Sequence, residues 1–227
     1  MSERCYRCFR PVKFCLCNDA KPVDAGVKFV LLMHPKEARH ERNGTGRLAH
    51  LCLVDSELFI GIDFTNHKQL HELLSNEHYF PVLLYPTDGA ETIFDLQKNN
   101  CDAFRKKKLL VIVIDGTWFC AKKIIQKNPF LLSLPHLSFA HSYSSEFIFK
   151  RGPKPNYIST IESCFYVIRE MQEARLASEH IDASPLMNVF RKMVRVQLQA
   201  QNDRIDGKLP NTHNYNWKYT KKISLPK

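Results

Sequence analysis

The chain has 227 residues, 44% of them hydrophobic, which is enough for one sizeable α/β domain with a small appendage. It contains no run of about 18 or more uncharged apolar residues and no apolar stretch near its N-terminus, so we predict neither a membrane span nor a signal peptide. We therefore expect a cytoplasmic protein that does not bind a membrane. The formal net charge of +10 favours a polyanionic partner, most simply nucleic acid, and we predict no protein partner.

Four cysteines are crowded near the N-terminus with the spacing C-x2-C-x6-C-x-C; they are Cys5, Cys8, Cys15 and Cys17. Thiols this dense in a cytosolic chain rarely form disulfides, and four thiolates suit tetrahedral zinc. Because protein would fill all four positions, we expect the zinc to be structural. An iron–sulfur cluster and a redox-active dithiol are the alternatives. We predict a zinc knuckle over residues 1–24.

Apolar runs and helical patterns alternate along the rest of the chain. Strands are predicted at 27–33, 58–62, 80–85 and 109–114, with short candidates at 137–139 and 147–149. Helices are predicted at 47–55, 69–75, 118–126, 158–178 and 185–202, with a weak helical pattern after residue 92. This order is typical of a mostly parallel sheet with helices on both faces. We assign that domain to residues 25–203 and a basic tail to residues 204–227.

The strongest predicted strand ends in Asp115, Gly116, Thr117 and Trp118. Ligands of open α/β sheets bind at the carboxyl ends of the strands, so this combination of a carboxylate, a hydroxyl and an indole indicates a ligand site. The structural alternative is that Asp115 bonds its own turn, that Thr117 caps the next helix and that Trp118 packs. Neither G-x-G-x-x-G nor G-x-x-x-x-G-K-[ST] is present, which argues against a dinucleotide site and an ATPase phosphate loop.

Together with the cysteine knuckle, several stretches resemble the DTW-domain family, named after Asp-x-Thr-Trp. The matching stretches, in the family's order, are HPKE at 34–37, NGTGRLAHL at 43–51, LLYP at 83–86, DGTW at 115–118 and ISTIES at 158–163. The last ends in serine where the family pattern leads us to expect alanine, a change between small residues.

The resemblance implies a tRNA-uridine aminocarboxypropyltransferase. Such an enzyme moves the 3-amino-3-carboxypropyl group of S-adenosylmethionine to N3 of a uridine in tRNA and releases 5′-methylthioadenosine. The family is similar to SPOUT-type enzymes, which implies a C-terminal trefoil knot. Two other functions stay open: a SPOUT-type S-adenosylmethionine-dependent RNA methyltransferase, and a non-catalytic zinc-knuckle protein that binds RNA.

Carried over to this chain, the reaction needs a base for the N3 proton of uridine. Asp115 is the first candidate and Glu162 the second; a first-turn glutamate that caps its own helix is the structural alternative for Glu162. The candidate donor contacts, besides Asp115, are Leu83, Tyr85, Pro86, Thr117, Trp118, Ser159, Thr160, Thr45 and Arg47. The candidate RNA contacts are His34, Arg47, Arg151 and Lys154.

Overall fold

The computed structural model describes residues 3–40, 44–99, 102, 106–148, 157–210 and 222. The strands are β1 (Lys28–Met33), β2 (Ser56–Ile60), β3 (Tyr79–Leu84), β4 (Lys108–Asp115) and β5 (His136–Leu137). The helices are named α1 (Pro35–His40), α2 (Gly46–Cys52), α3 (Lys68–Ser75), α4 (Ile93–Asn99), α5 (Trp118–Lys127), α6 (Thr160–Glu173) and α7 (Ser184–Ile205). Short 3-10 turns cover Val12–Phe14 and Pro129–Ser133. None of the helices in the described ranges combines the length and the apolar composition that a membrane span requires.

The strands of the described ranges form one sheet, in which all pairs run parallel and the order is β2-β1-β4-β3-β5. This confirms the predicted α/β class. β1 and β4 lie in the interior of the sheet and are mostly buried, as their long apolar runs predict. Met33 lies opposite Asp115 in the register of these two strands, so both strands end at the same level.

Helices cover both faces of the sheet. Alternate side chains of a strand point to opposite sides, so an apolar strand presents apolar side chains to both faces. Phe29 and Leu31 of β1 belong to one apolar cluster, which contains buried residues of α2, α4, α6 and α7. Val30 and Leu32 belong to a second cluster, which contains residues of α3 and α5. The predicted layering is confirmed, and both sides of the central strands are covered by protein.

Two local features differ from the predictions. Phe147 and Ile148, in the predicted strand at 147–149, are not in a strand, and residue 149 lies outside the described residues. The Phe147 ring instead packs 5.6 Å from the ring of Phe190 on α7, so one loop residue of this apolar pattern is buried in the first cluster. The short helix α1 lies in a polar stretch for which no element is predicted.

The N-terminal knuckle packs against the α/β sheet domain. Leu16 and Val23 are buried in the first apolar cluster. The Arg10 side chain is 6% exposed and donates hydrogen bonds to the Gly44 carbonyl oxygen at 3.3 Å and to Sδ of Met193 at 3.0 Å. These contacts fix the knuckle to α7 and to the residues that precede α2. The domain boundary near residue 24 stays a prediction.

The trefoil knot also stays a prediction, because the chain between residues 148 and 157 lies outside the described residues. Most of the predicted basic tail, residues 211–221 and 223–227, lies outside them as well. α7 continues to Ile205, slightly beyond its predicted end.

A charge cluster joins the central strands near their amino ends. Asp55 accepts hydrogen bonds from Nζ of Lys28 and from Nζ of Lys108, both at 2.7 Å. Burial alone would raise the pKa of Asp55, but the two ammonium groups outweigh it and the pKa is lowered. The ammonium group of Lys28 is mostly buried and depends on this carboxylate.

Replacing Asp55 by asparagine is expected to lower the free energy of unfolding by about 2–3 kcal/mol, because two neighbouring ammonium groups lose their shared carboxylate. Urea denaturation near neutral pH measures this loss. A control is Glu57→Gln: Glu57 is half exposed and 3.5 Å from Lys28, so we expect a loss below about 0.5 kcal/mol.

The stability difference between wild type and Asp55→Asn should also depend on pH. A carboxyl group with a lowered folded-state pKa contributes stability above its unfolded pKa of about 3.9, and this stability is lost as the pH falls through the folded value. The difference should therefore be constant near neutral pH and shrink below about pH 4. A difference that grows on acidification would contradict this role of Asp55.

Candidate active site

Asp115 lies at the end of β4, at the carboxyl edge of the sheet, and is 3% exposed. Its carboxylate Oδ1 accepts a hydrogen bond of 2.6 Å from the hydroxyl of Thr160. Its backbone oxygen accepts a hydrogen bond of 2.9 Å from the amide of His34. The edge is therefore tied together across β1, β4 and the start of α6.

The first turns of two helices, α2 and α6, contact the Asp115 carboxylate. α2 begins at Gly46, α5 begins three residues after Asp115, and α6 begins at Thr160. A Cβ atom on Gly46 would lie 2.5 Å from Cγ of Asp115 and 2.9 Å from Oδ1, so only glycine fits at this point.

Thr117 and Glu37 hold the turn that follows Asp115. The Thr117 hydroxyl accepts a hydrogen bond of 3.4 Å from the amide of Cys120 and so caps α5, which was the structural alternative for this residue. The Thr117 amide donates to Oε1 of Glu37 at 3.1 Å. Glu37 was not predicted as a site residue, although it lies in the HPKE stretch that carries the resemblance.

Three aromatic rings form a wall beside this turn. The Tyr85 and Trp118 rings are nearly parallel, with centroids 5.9 Å apart and an interplanar angle of 3°. The Tyr157 ring stands edge-on to Trp118 at 5.3 Å. Burial, followed by the neighbouring Tyr157, raises the pKa of Tyr85. Trp118 remains 39% exposed, so part of its side chain is accessible to a ligand such as a purine base or a cation.

Tyr157 was not predicted as a member of this wall. The one sequence feature that could have indicated Tyr157 is its position immediately before the predicted helix start. Its ring partner, Trp118, lies 39 residues earlier in the chain. No local pattern connects two residues at that separation.

Arg47 connects the site with the knuckle. Its guanidinium carbon lies 4.0 Å from the ring centroid of Phe9, whose backbone has a positive φ of 58°. Burial lowers the pKa of Arg47, whereas the negative charges of Asp115 and Cys8 act in the opposite direction. An arginine remains protonated in either case, so it supplies a positive charge near the Asp115 carboxylate.

The four knuckle thiols form a compact cluster that fits a zinc ion. Sγ of Cys5 is 3.6 Å from Sγ of Cys17, Sγ of Cys8 is 3.8 Å from Sγ of Cys15, and all four atoms lie within 4.8 Å of one another. A tetrahedron with Zn–S bonds of about 2.3 Å has sulfur–sulfur distances of about 3.8 Å. Backbone amides of Cys8 and Arg7 lower the pKa of the Cys5 thiol, which favours the thiolate that a metal binds.

Glu162, the second candidate base, is fully buried on α6 and hydrogen-bonded at both oxygens. Its Oε1 accepts from the amide of Glu146 at 2.7 Å. Its Oε2 accepts from the Ser145 hydroxyl at 2.8 Å and from the amide and hydroxyl of Ser159 at 2.7 and 2.5 Å. Glu162 therefore ties the loop at Ser145 to the first turn of α6, and Ser159 is directed toward it.

Replacing Glu162 by glutamine is expected to lower the free energy of unfolding by about 2–3 kcal/mol, because one carboxylate oxygen becomes a donor that faces other donors. Thermal or urea denaturation measures the effect. A control is Glu179→Gln, since Glu179 is exposed in the loop between α6 and α7. Equal stabilities of the two variants would contradict the role of Glu162 as the anchor of this loop.

The remaining candidate donor contacts lie in different environments. The Leu83 side chain is fully buried in the second apolar cluster. Pro86 is exposed, two residues after the end of β3. Thr45 is buried before α2, where its carbonyl oxygen accepts the amide of Ala49 at 2.9 Å.

The candidate RNA contacts divide into described and undescribed residues. Arg151 and Lys154 lie outside the described residues. His34 is 3% exposed, and its Nδ1 accepts the amide of Lys36 at 3.1 Å. Burial, together with the charges of Lys123 and Lys36, lowers the pKa of His34, so its imidazole is neutral at about pH 7.

The structure is an α/β protein with a carboxylate site at the sheet edge near Asp115 and a cysteine knuckle at its N-terminus. A comparison with protein-family models shows which family has these features. The model described as "DTW domain" matches residues 2–198, so the chain belongs to the DTW domain family. The family predicted from the motifs is thereby confirmed.

Curated proteins similar to the chain carry one common name. A tRNA-uridine aminocarboxypropyltransferase 2 of Macaca fascicularis is 29% identical over 199 residues, which cover 86% of this chain and 63% of that protein. The Drosophila melanogaster protein of the same name is 26% identical, covering 76% of this chain and 69% of that protein. A tRNA-uridine aminocarboxypropyltransferase A of Arabidopsis thaliana is 24% identical, covering 85% and 80%.

The chain spans less than two thirds of the length of the Macaca protein, 63%. No solved structure matches the chain.

Proposed function

We propose that the protein transfers the 3-amino-3-carboxypropyl group of S-adenosylmethionine to N3 of a uridine in tRNA, with 5′-methylthioadenosine as the second product. The observation that carries this proposal is the buried Asp115 carboxylate at the edge of the sheet, next to the accessible ring of Trp118. The family and the names of the similar proteins support it. The net charge of +10 suits a tRNA substrate.

The donor, when bound, supplies a carbon attached to a sulfonium, so the new bond to N3 forms as the carbon–sulfur bond breaks and its electron pair stays on sulfur. In this proposal the faces of Trp118 and Tyr85 contact the adenine and the positive sulfonium. Arg47 and the first turn of α6 attract the donor carboxylate. Selectivity for the amino-acid arm over the methyl group then comes from positioning.

Asp115 accepts the N3 proton of uridine in the proposed reaction. The Thr160 hydroxyl fixes the orientation of its carboxylate at the edge of the sheet. We assign Glu162 to positioning rather than to proton transfer, since four hydrogen bonds occupy its carboxylate.

The knuckle holds a structural zinc ion in this proposal, because four thiolates would leave no position for substrate or water. A cytoplasmic location is part of the proposal, because dense cysteines that bind a metal rather than form disulfides suit a reducing compartment.

Mass spectrometry of the products tests the proposal. The protein is incubated with S-adenosylmethionine and unmodified tRNA, and nucleosides and small molecules are analysed together. Aminocarboxypropyluridine with 5′-methylthioadenosine is the expected result. Methyluridine with S-adenosylhomocysteine would instead establish a methyltransferase, and the absence of any affinity for the donor would establish a protein that only binds RNA.

Replacing Gly46 by alanine is expected to reduce the transfer rate by about 100-fold, because the added Cβ displaces the Asp115 carboxylate from its position. Single-turnover rates with tRNA measure the effect. A control is Gly89→Ala, since no atom lies within 4 Å of a Cβ at that position. Equal rates for the two alanine variants would contradict the importance of the contact between α2 and Asp115.

A further inference from the structure

The exposed side of α5 begins with two aromatic residues and continues with lysines. Phe119 is 88% exposed, and Trp118 beside it is partly exposed. Lys122 and Lys123 lie one turn further on the same side of the helix, also exposed. The opposite side of α5 is buried against the sheet through Cys120, Ala121, Ile124 and Ile125. An aromatic end thus leads directly into a basic stripe.

This side of α5 begins at the candidate active site. Trp118 starts the helix directly after the Asp115 turn, so Phe119 projects from the first turn, next to the aromatic wall. Lys123 lies close enough to the buried His34 to influence its protonation, and so does Lys36 from α1. Lys36 and Lys123 therefore lie near the same edge of the sheet as Asp115.

Among the described residues, no ion pair neutralises the lysines next to Phe119. In the part of the chain that the structure describes, no carboxylate lies within salt-bridge distance of Lys36, Lys122 or Lys123. Asp63 interacts electrostatically with Lys127, at the end of α5 away from Phe119.

We propose that Phe119, Lys122 and Lys123, here called the α5 platform, bind an unpaired tRNA nucleotide that neighbours the target uridine. The Phe119 ring stacks on the base, and the two lysines contact the adjoining phosphates. An exposed phenyl group next to unpaired lysines suits nucleic acid better than a protein partner, because lysine is depleted from protein interfaces. The proposal rests on the proposed function for tRNA as the partner and for the identity of the target base.

Equilibrium binding of labelled unmodified tRNA transcripts, measured without donor, tests the platform. Phe119→Leu retains apolar area but removes the ring, and it should weaken binding by roughly 10- to 100-fold. Phe119→Tyr keeps the ring and should bind within about twofold of wild type. Val54→Ala is a control, since Val54 is 62% exposed at the opposite edge of the sheet, just before β2.

The salt dependence of binding tests the two lysines. The double variant Lys122→Gln and Lys123→Gln should lower the slope of log Kd against log salt concentration by about two. Lys98→Gln is the matched control, because Lys98 is exposed on α4, which packs on the other face of the sheet. An RNA duplex without unpaired bases should bind wild type and Phe119→Leu equally well.

The results of these binding experiments and of the product analysis show which of the two proposals fails, the α5 platform or the transfer reaction. Equal tRNA affinities of wild type and Phe119→Leu would overturn the platform, even if aminocarboxypropyluridine is formed. A loss of affinity in Phe119→Leu without any transfer product from wild type would overturn the reaction and support the platform. Absence of tRNA binding by wild type would overturn both, and a duplex preference that depends on Phe119 would overturn base stacking.

Discussion

Asp115→Asn is expected to lower the rate of transfer to tRNA by about 100- to 10,000-fold while the protein remains folded, because the amide cannot accept the N3 proton of uridine. The substitution preserves the shape of the side chain, and the amide oxygen can still accept the hydrogen bond from Thr160. Single-turnover kinetics at saturating donor measure the chemical step. Asp63→Asn is the control, since Asp63 is an exposed aspartate outside the site.

Donor affinity distinguishes the two roles that the sequence leaves open for Asp115. A proton acceptor affects the rate and leaves the Kd of S-adenosylmethionine nearly unchanged, whereas a contact to the donor ammonium group affects the Kd. We expect the rate effect, and we expect the rate of the variant to recover partly as the pH rises and N3 ionises without help. A wild-type rate in Asp115→Asn would contradict a catalytic role.

Cys8→Ser is expected to abolish zinc binding and to lower the free energy of unfolding by at least about 3 kcal/mol, because a structural metal site contributes directly to folding. Cys8 is the most buried of the four thiols, at 3% exposed. Metal analysis should give one zinc ion for wild type and almost none for the variant. Treatment with a chelator should destabilise wild type and leave the variant unchanged.

Cys52→Ala is the control for the zinc prediction, because Cys52 is buried outside the knuckle. It should bind zinc like wild type and lose stability only through its packing. A visible absorption band with bound iron would instead indicate an iron–sulfur cluster. Loss of zinc should also weaken donor binding, because Phe9 would no longer hold the Arg47 guanidinium.

The position of the site could be predicted because it depends on local features. The apolar run before Asp115 indicates a buried strand, and ligands bind where such strands end. The spacing of the four cysteines predicts a metal cluster within thirteen consecutive residues. In both cases the residues that matter are neighbours in the chain, so one pattern contains all of them.

The contacts that assign roles within the site are not local. Glu162 is bonded to Ser145 and Glu146, which precede it by 17 and 16 residues, and a first-turn glutamate looks the same whether it is bonded or free. The need for glycine at position 46 comes from Asp115, which belongs to a different element. Such contacts follow from the order and register of strands, which a single sequence does not specify.

A crystal structure of the protein with S-adenosylmethionine would show whether the donor binds at the edge of the sheet beside Asp115. We predict that the adenosine lies against Trp118 and Tyr85, and that the amino-acid arm reaches the edge at Asp115 with its γ-carbon facing the open side. A donor bound away from this edge, or bound here with its methyl group facing the open side, would contradict the proposed reaction.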